Sequence, residues 1–139
     1  MRRELARCSA GALLWLTITA IVVTASSADV APQVRGPAAV SPGRIVAFRA
    51  HGFRAGSLLE LTLSPADKPS CCAIRIASSF PVSDSGDAVL TFRMPVYYRR
   101  CRSVRQKNCP KIRWNPRERV VVNVFGYLEQ ATTVTSVRP

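Results

Sequence analysis

Wherever apolar residues cluster in this chain they recur at every second position, and the clusters are short. In residues 44–50, RIVAFRA, Val46, Phe48 and Ala50 share one face. In 57–63, SLLELTL, Leu59, Leu61 and Leu63 point one way while Glu60 and Thr62 point the other. Residues 71–80, CCAIRIASSF, put Cys72, Ile74, Ile76 and Phe80 on one side and Cys71, Arg75 and Ser79 on the opposite one. Residues 88–94 oppose Leu90, Phe92 and Met94 to Thr91 and Arg93, and the strand ends at Pro95. In 119–125 Val120, Val122 and Val124 alternate with Val121, Asn123 and Phe125; the run 131–137 follows across GYLEQ as a hairpin partner. Trp114, two positions after Ile112, falls on the core face. Pro, Gly, Ser and Asp interrupt these runs too often for helices. The pattern predicts an all-β domain over 29–139, an antiparallel two-layer sandwich of immunoglobulin-like type with seven or eight strands.

The N-terminus follows another rule. A cationic MRRELAR precedes sixteen uncharged residues, 10–25, and small residues follow at Ala25, Ser26, Ser27 and Ala28. That order is a secretory signal, residues 1–28, with cleavage expected after Ala28 and Ala25 as the alternative site. A spanning helix needs roughly 20 apolar residues, so secretion is the reading and an N-terminal membrane anchor the alternative. Cys8 precedes the apolar run and leaves with the signal.

Two turn segments carry a likeness. AHGFRAGSLLELTLSP and SDSGDAVLTFRMP, through Gly52, Phe53, Gly56, Asp84, Gly86 and Pro95, resemble the Ig-like modules of secreted and cell-wall actinobacterial proteins. The layout is also similar to the antitumour-antibiotic apoproteins of the neocarzinostatin type, small exported sandwiches with two disulfides. The first resemblance implies a β-sandwich module of the envelope or exterior, the second a carrier of a small molecule. This chain differs from those carriers in being basic and in having two adjacent cysteines.

Cys71, Cys72, Cys101 and Cys109 remain after export, an even number that reads as two disulfides. No Cys-x-x-Cys spacing occurs and His51 is the one histidine, so neither a zinc site nor a redox motif is expected, and no metal or other cofactor. Neighbouring Cα atoms stand about 3.8 Å apart, below the roughly 4.4 Å at which unstrained bridges begin. The expectation is therefore that Cys71 and Cys72 each reach across to Cys101 or Cys109.

Charge changes the picture most. The whole chain carries +12; without residues 1–28 it keeps 17 basic and 7 acidic residues, a net of +10. Nine of those bases lie between Arg99 and Arg119, with Glu118 the single acid there. Arg99, Arg100, Arg102, Arg105, Lys107, Lys111 and Arg113 are the candidate anion-binding residues, on a loop held by disulfides. Such a density attracts polyanions, and outside a cell these include anionic envelope polymers and lipid headgroups. The plainer alternative is that the charge only keeps the domain soluble. Tyr97, Tyr98 and Trp114 interleave with the arginines, but nucleic acid is a minority reading.

Hydrolytic chemistry calls for a nucleophile beside a base, paired carboxylates, or clustered metal ligands. None of these patterns stands in the sequence: His51 reads as a turn residue beside Gly52, and Asp84 and Asp87 flank Gly86 as turn formers. The expected protein is a secreted, monomeric, non-enzymatic binding or envelope-associated module. A small-molecule carrier and a purely structural accessory protein are the alternatives.

Overall fold

The computed structural model describes residues 30–139, so the signal segment read at 1–28 lies outside the described residues. The described chain is all strand, turn and loop. Its eleven strands are β1 (Gln33–Arg35), β2 (Ala39–Val40), β3 (Ile45–His51), β4 (Leu58–Pro65), β5 (Ile74–Arg75), β6 (Phe80–Pro81), β7 (Ala88–Arg93), β8 (Tyr97–Arg99), β9 (Lys111–Arg113), β10 (Arg119–Phe125) and β11 (Gln130–Val137). No helix among the described residues is long and apolar enough to cross a membrane.

Two sheets face each other across one core. The smaller has the order β1-β3-β7; the larger runs β2-β11-β10-β4-β5, with β6 also pairing with β4. Phe48, Ala50, Leu90 and Phe92 come from the smaller sheet, and Leu59, Leu61, Leu63, Val120, Val122 and Val124 from the larger, all buried in the same cluster. Register aligns these residues in rows, with Phe48 opposite Leu90, Leu61 opposite Val124 and Leu63 opposite Val122. One-sided burial accounts for the register, since a slip by one residue would turn each row to solvent. The Phe48 and Phe92 rings lie 6.0 Å apart, and a Cβ on Gly36 would fall 2.0 Å from the Phe48 ring, so only glycine lets that ring close against β1's exit.

The two turns that carry the family likeness meet. Gly52 and Gly86 both have positive φ, 79° and 83°, and the Phe53 amide donates to the Gly86 carbonyl at 3.2 Å. Phe53, 4% exposed, closes the end of the core there. HGFRAG thus carries the chain from β3 in one layer to β4 in the other.

Three expectations need correction. Seven or eight strands become eleven because β1, β2 and β9 are two or three residues long, too short to show alternation, and because the run 71–80 splits. Its inward residues are buried or half-buried as expected, but only β5 and β6 form ladder, two residues each. Ile76 still donates to Leu61, after which Ala77–Ser79 leave the sheet and Pro81 brings no amide. The sandwich is also not wholly antiparallel: β2 pairs parallel to β11 through Ala39 and Val40, placing the short entry strand on the larger sheet's edge. The third is the cysteine pairing, since Cys101 bonds Cys109.

Candidate functional site

β8 and β9 form a separate antiparallel ribbon in which Tyr97 faces Arg113, Tyr98 faces Ile112 and Arg99 faces Lys111. Period-two alternation sorts this ribbon into two faces. Inward, Tyr98 is 2% exposed and stacks on Trp114 with ring centroids 4.1 Å apart, beside half-buried Ile112. Outward stand Tyr97, Arg99, Lys111 and Arg113, all exposed. The Lys111 ammonium lies 4.9 Å and the Arg113 guanidinium 5.3 Å from the centre of the Tyr97 ring, and Arg113 Nε donates to the Tyr97 hydroxyl at 3.2 Å. The ring face attracts cations and spaces them, so this face is a cationic strip built on an aromatic one.

Beyond the ribbon the chain loops through Arg102, Arg105 and Lys107, all exposed. Cys101 and Cys109 close that loop with a disulfide, Cα to Cα 4.7 Å. Inside it, Gln106 accepts from the Arg102 amide at 2.6 Å and donates to the Asn108 carbonyl at 2.8 Å. Among the described residues no ion pair involves Arg99, Arg102, Arg105, Lys107, Lys111 or Arg113.

Arg100 is different. Its guanidinium bonds Asp67, donates to the Tyr98 hydroxyl at 2.8 Å and lies 3.7 Å from Glu118. The Tyr98 hydroxyl in turn donates to Glu118 Oε1 at 2.7 Å, and Glu118 Oε2 accepts the Asn115 amide at 2.8 Å. Burial, then the bond to Glu118, pushes the Tyr98 phenol up to about 12, while Asp67 foremost, and then Tyr98, holds the Arg100 guanidinium charged more firmly than usual. Of the seven candidates, Arg100 is therefore the one among the described residues whose charge is met by carboxylates of the protein. The clue lay in Glu118: a single carboxylate within nine bases is the natural partner for one of them. Asp67 carried no such clue, because it lies 33 residues from Arg100.

Arg117 continues the same corner with φ 66°, in the left-handed region that costs a residue with a Cβ about 1–2 kcal/mol. Its amide donates to Val137 O at 2.8 Å, and the Val137 amide donates to Glu118 O at 2.9 Å, so the strained turn is locked to β11.

The cysteine pairing corrects the expected one. Cys101 bonds Cys109, whereas Cys71 and Cys72 are thiols with their Sγ atoms 3.1 Å apart. The β8–β9 ladder is the physical reason: it extends to Arg100 N and Pro110 O at 2.9 Å and so brings Cys101 and Cys109 opposite each other. The strain of a vicinal bond disfavours only a bonded Cys71–Cys72 pair, and these two stay thiols while the ribbon aligns the other two. Cys72 sharing a hydrogen bond, with burial adding to it and Lys68 opposing, holds the Cys71 thiol above its usual value.

His51 closes β3 and bonds Asp87, whose other oxygen accepts from Ser85 at 2.8 Å. His51 first, and Ser85 second, hold the Asp87 carboxyl below its ordinary range. Asp87 thus ties β3 to the β6–β7 turn. No group of three or more His, Cys, Asp or Glu side chains converges as a metal site among the described residues.

A groove of about 350 Å³ runs between β5 and the ribbon, lined by Ala73, Ile74, Tyr97, Tyr98, Arg99 and Lys111. A wider recess of about 660 Å³ lies around Asp67, Arg100, Arg117 and Arg119. Both open to solvent.

No family model matches the chain, and no curated protein matches it. Among solved structures, macromomycin superposes with a TM-score of 0.57 at 14% identity, covering 77% of this chain and 99% of macromomycin. A superoxide reductase (neelaredoxin) from Ignicoccus hospitalis gives 0.41 at 8% identity, over 78% of this chain and 79% of its own. A CARDB domain from Pyrococcus furiosus gives 0.42 at 14% identity, over 79% and 94%. The first likeness bears on the fold, which it shares almost from end to end; the other two are too distant to carry an argument.

Proposed function

We propose that this protein is an exported, non-enzymatic Ig-like binding module that holds anionic envelope polymers or lipid headgroups against its cationic ribbon. The observation that carries the reading is the sorting of charge. Arg99, Lys111 and Arg113 share one exposed ribbon face around Tyr97, with Arg102, Arg105 and Lys107 on the stapled loop beyond and, among the described residues, no acid paired to any of them. Charge kept only for solubility has no reason to segregate in this way. Arginine suits such ligands because its planar fork meets carboxylate or phosphate oxygens two at a time, and a disulfide-closed loop loses less freedom when it binds.

The test is cosedimentation with vesicles of neutral phosphatidylcholine, with or without an anionic phospholipid, and in parallel retention on a soluble polyphosphate matrix. Binding is expected only to the anionic probes, and it should fall steeply between about 50 and 200 mM salt, as multivalent charge contacts do. The triple substitution Arg99→Glu, Lys111→Glu, Arg113→Glu should abolish it while leaving the circular-dichroism spectrum unchanged. Binding indifferent to salt and to these changes rejects the reading.

A second reading is a small-molecule carrier, favoured by the macromomycin likeness and by the groove between β5 and the ribbon. Two of that groove's six lining residues are cations, Arg99 and Lys111, which fits the anion reading better than an apolar ligand.

A further inference from the structure

Beside the ribbon lies chemistry that anion binding does not use. Cys71 and Cys72 are adjacent in sequence, yet their Sγ atoms sit 3.1 Å apart. Both residues lie in the turn before β5 rather than in a strand, so the alternation of a ladder does not part their side chains, and one residue's backbone meets both sulfurs. That residue is Cys101: its carbonyl lies 3.6 Å from Cys71 Sγ and 3.8 Å from Cys72 Sγ, and its amide donates to Cys72 Sγ at 3.3 Å. The two sulfurs need to close by only about 1 Å to reach bonding distance, roughly 2.05 Å. Access to them is unequal. Cys72 is 3% exposed and belongs to the core, whereas Cys71 is only half-buried.

We propose that Cys71 and Cys72 form a redox-active vicinal dithiol that takes low-molecular-weight disulfides as its oxidant, with Cys71 as the attacking thiol and Cys72 as the resolving one. Cys71 gives its proton to solvent and its thiolate attacks one sulfur of R–S–S–R. That bond breaks, one R–S⁻ leaves and is protonated, and Cys71 carries the other half as a mixed disulfide. Cys72 then loses its proton and attacks the Cys71 sulfur, expelling the second R–S⁻. Two protein thiols lose two electrons and two protons; the oxidant gains both and departs as two thiols. Adjacent Cα atoms about 3.8 Å apart lie below the span of an unstrained bridge, and strained disulfides are the readily reduced ones. The site is thus reversible, whereas Cys101–Cys109, with Cα atoms 4.7 Å apart, spans an ordinary distance and remains closed.

The experiment treats the full exported chain with excess oxidised glutathione, unfolds it, alkylates with iodoacetamide and measures intact mass and peptide maps. Before oxidation two alkyl groups are expected, both on the fragment holding residues 71–72. Afterwards there should be none, no glutathione adduct, and a mass lower by about 2 Da, the two hydrogens lost. Millimolar reduced glutathione should restore both alkylations while the Cys101–Cys109 fragment stays linked. Cys72→Ser should stop at one glutathione on Cys71, and Cys71→Ser should react at least about tenfold more slowly, because the remaining thiol is buried. Two glutathione adducts on the unmodified chain, two thiols that persist under oxidant, or a fragment linking 71–72 to 101 or 109 would each overturn the proposal, and the unmodified chain alone decides it if a variant fails to fold.

Discussion

The Tyr98 hydroxyl donates to Glu118 at 2.7 Å and accepts from Arg100 at 2.8 Å, so one phenol on the inner face of the ribbon joins the loop's entry to the corner before β10. Through Asp67 the same guanidinium reaches the loop after β4. A basic excursion that would otherwise repel itself is fastened to the sandwich at its base.

Glu118→Ala should therefore destabilise the whole domain. It leaves a buried phenol and the Asn115 amide short of an acceptor, a loss of about 1–3 kcal/mol. For a domain of this size that is a fall of roughly 4–8 °C in Tm for each kcal/mol, read by thermal denaturation. Arg119→Ala, one position on and exposed, is the control and should shift Tm little.

Ionisation of Tyr98 supplies a pH test. Its folded value is raised from 10.0 to about 12, so the native state holds this proton more tightly than the unfolded chain does. The corresponding stability is complete below about pH 10 and is lost as pH climbs through 12. Absorbance titration of tyrosinate should show one late step near 12 that Tyr98→Phe deletes and Glu118→Gln moves down, because the carboxylate is part of its cause.

Opening the loop staple has a calculable cost. Cys101→Ser with Cys109→Ser releases a closure of about nine residues, which the chain-entropy model values at about 2.6 kcal/mol. Urea unfolding should show a lower midpoint. Anionic vesicles should bind more weakly too, since the loop must then be ordered on contact; unchanged binding would show that the ribbon face alone carries the affinity.

Gly86→Ala tests the joined turns. At φ 83° an L side chain is strained, and its Cβ would lie 2.9 Å from the Phe53 carbonyl oxygen, a backbone atom that cannot swing aside. A loss of at least about 1–2 kcal/mol is expected. Gly56→Ala, with equal dihedral strain but open space around it, should cost less, and the difference between the two measures the contact between turns.

Alternation alone determined the fold class and nearly all of the core. Leu59, Leu61, Leu63, Leu90, Phe92, Val120, Val122 and Val124 are buried where period two puts them, because a half-buried strand has no other way to separate oil from water. The 125–130 hairpin was equally legible, since its two strands are neighbours in sequence. Tertiary structure decided what depends on distant partners. Period two marked Trp114 as core, but not that Tyr98 would stack on it. Charge density marked seven candidate cations, but Asp67, far along the chain, took Arg100 from among them. Cysteine spacing gave the number of sulfurs, while the ladder of β8 on β9 chose which pair would meet. A local pattern records which side of a strand is wet; which strand lies opposite is settled only when the whole core closes.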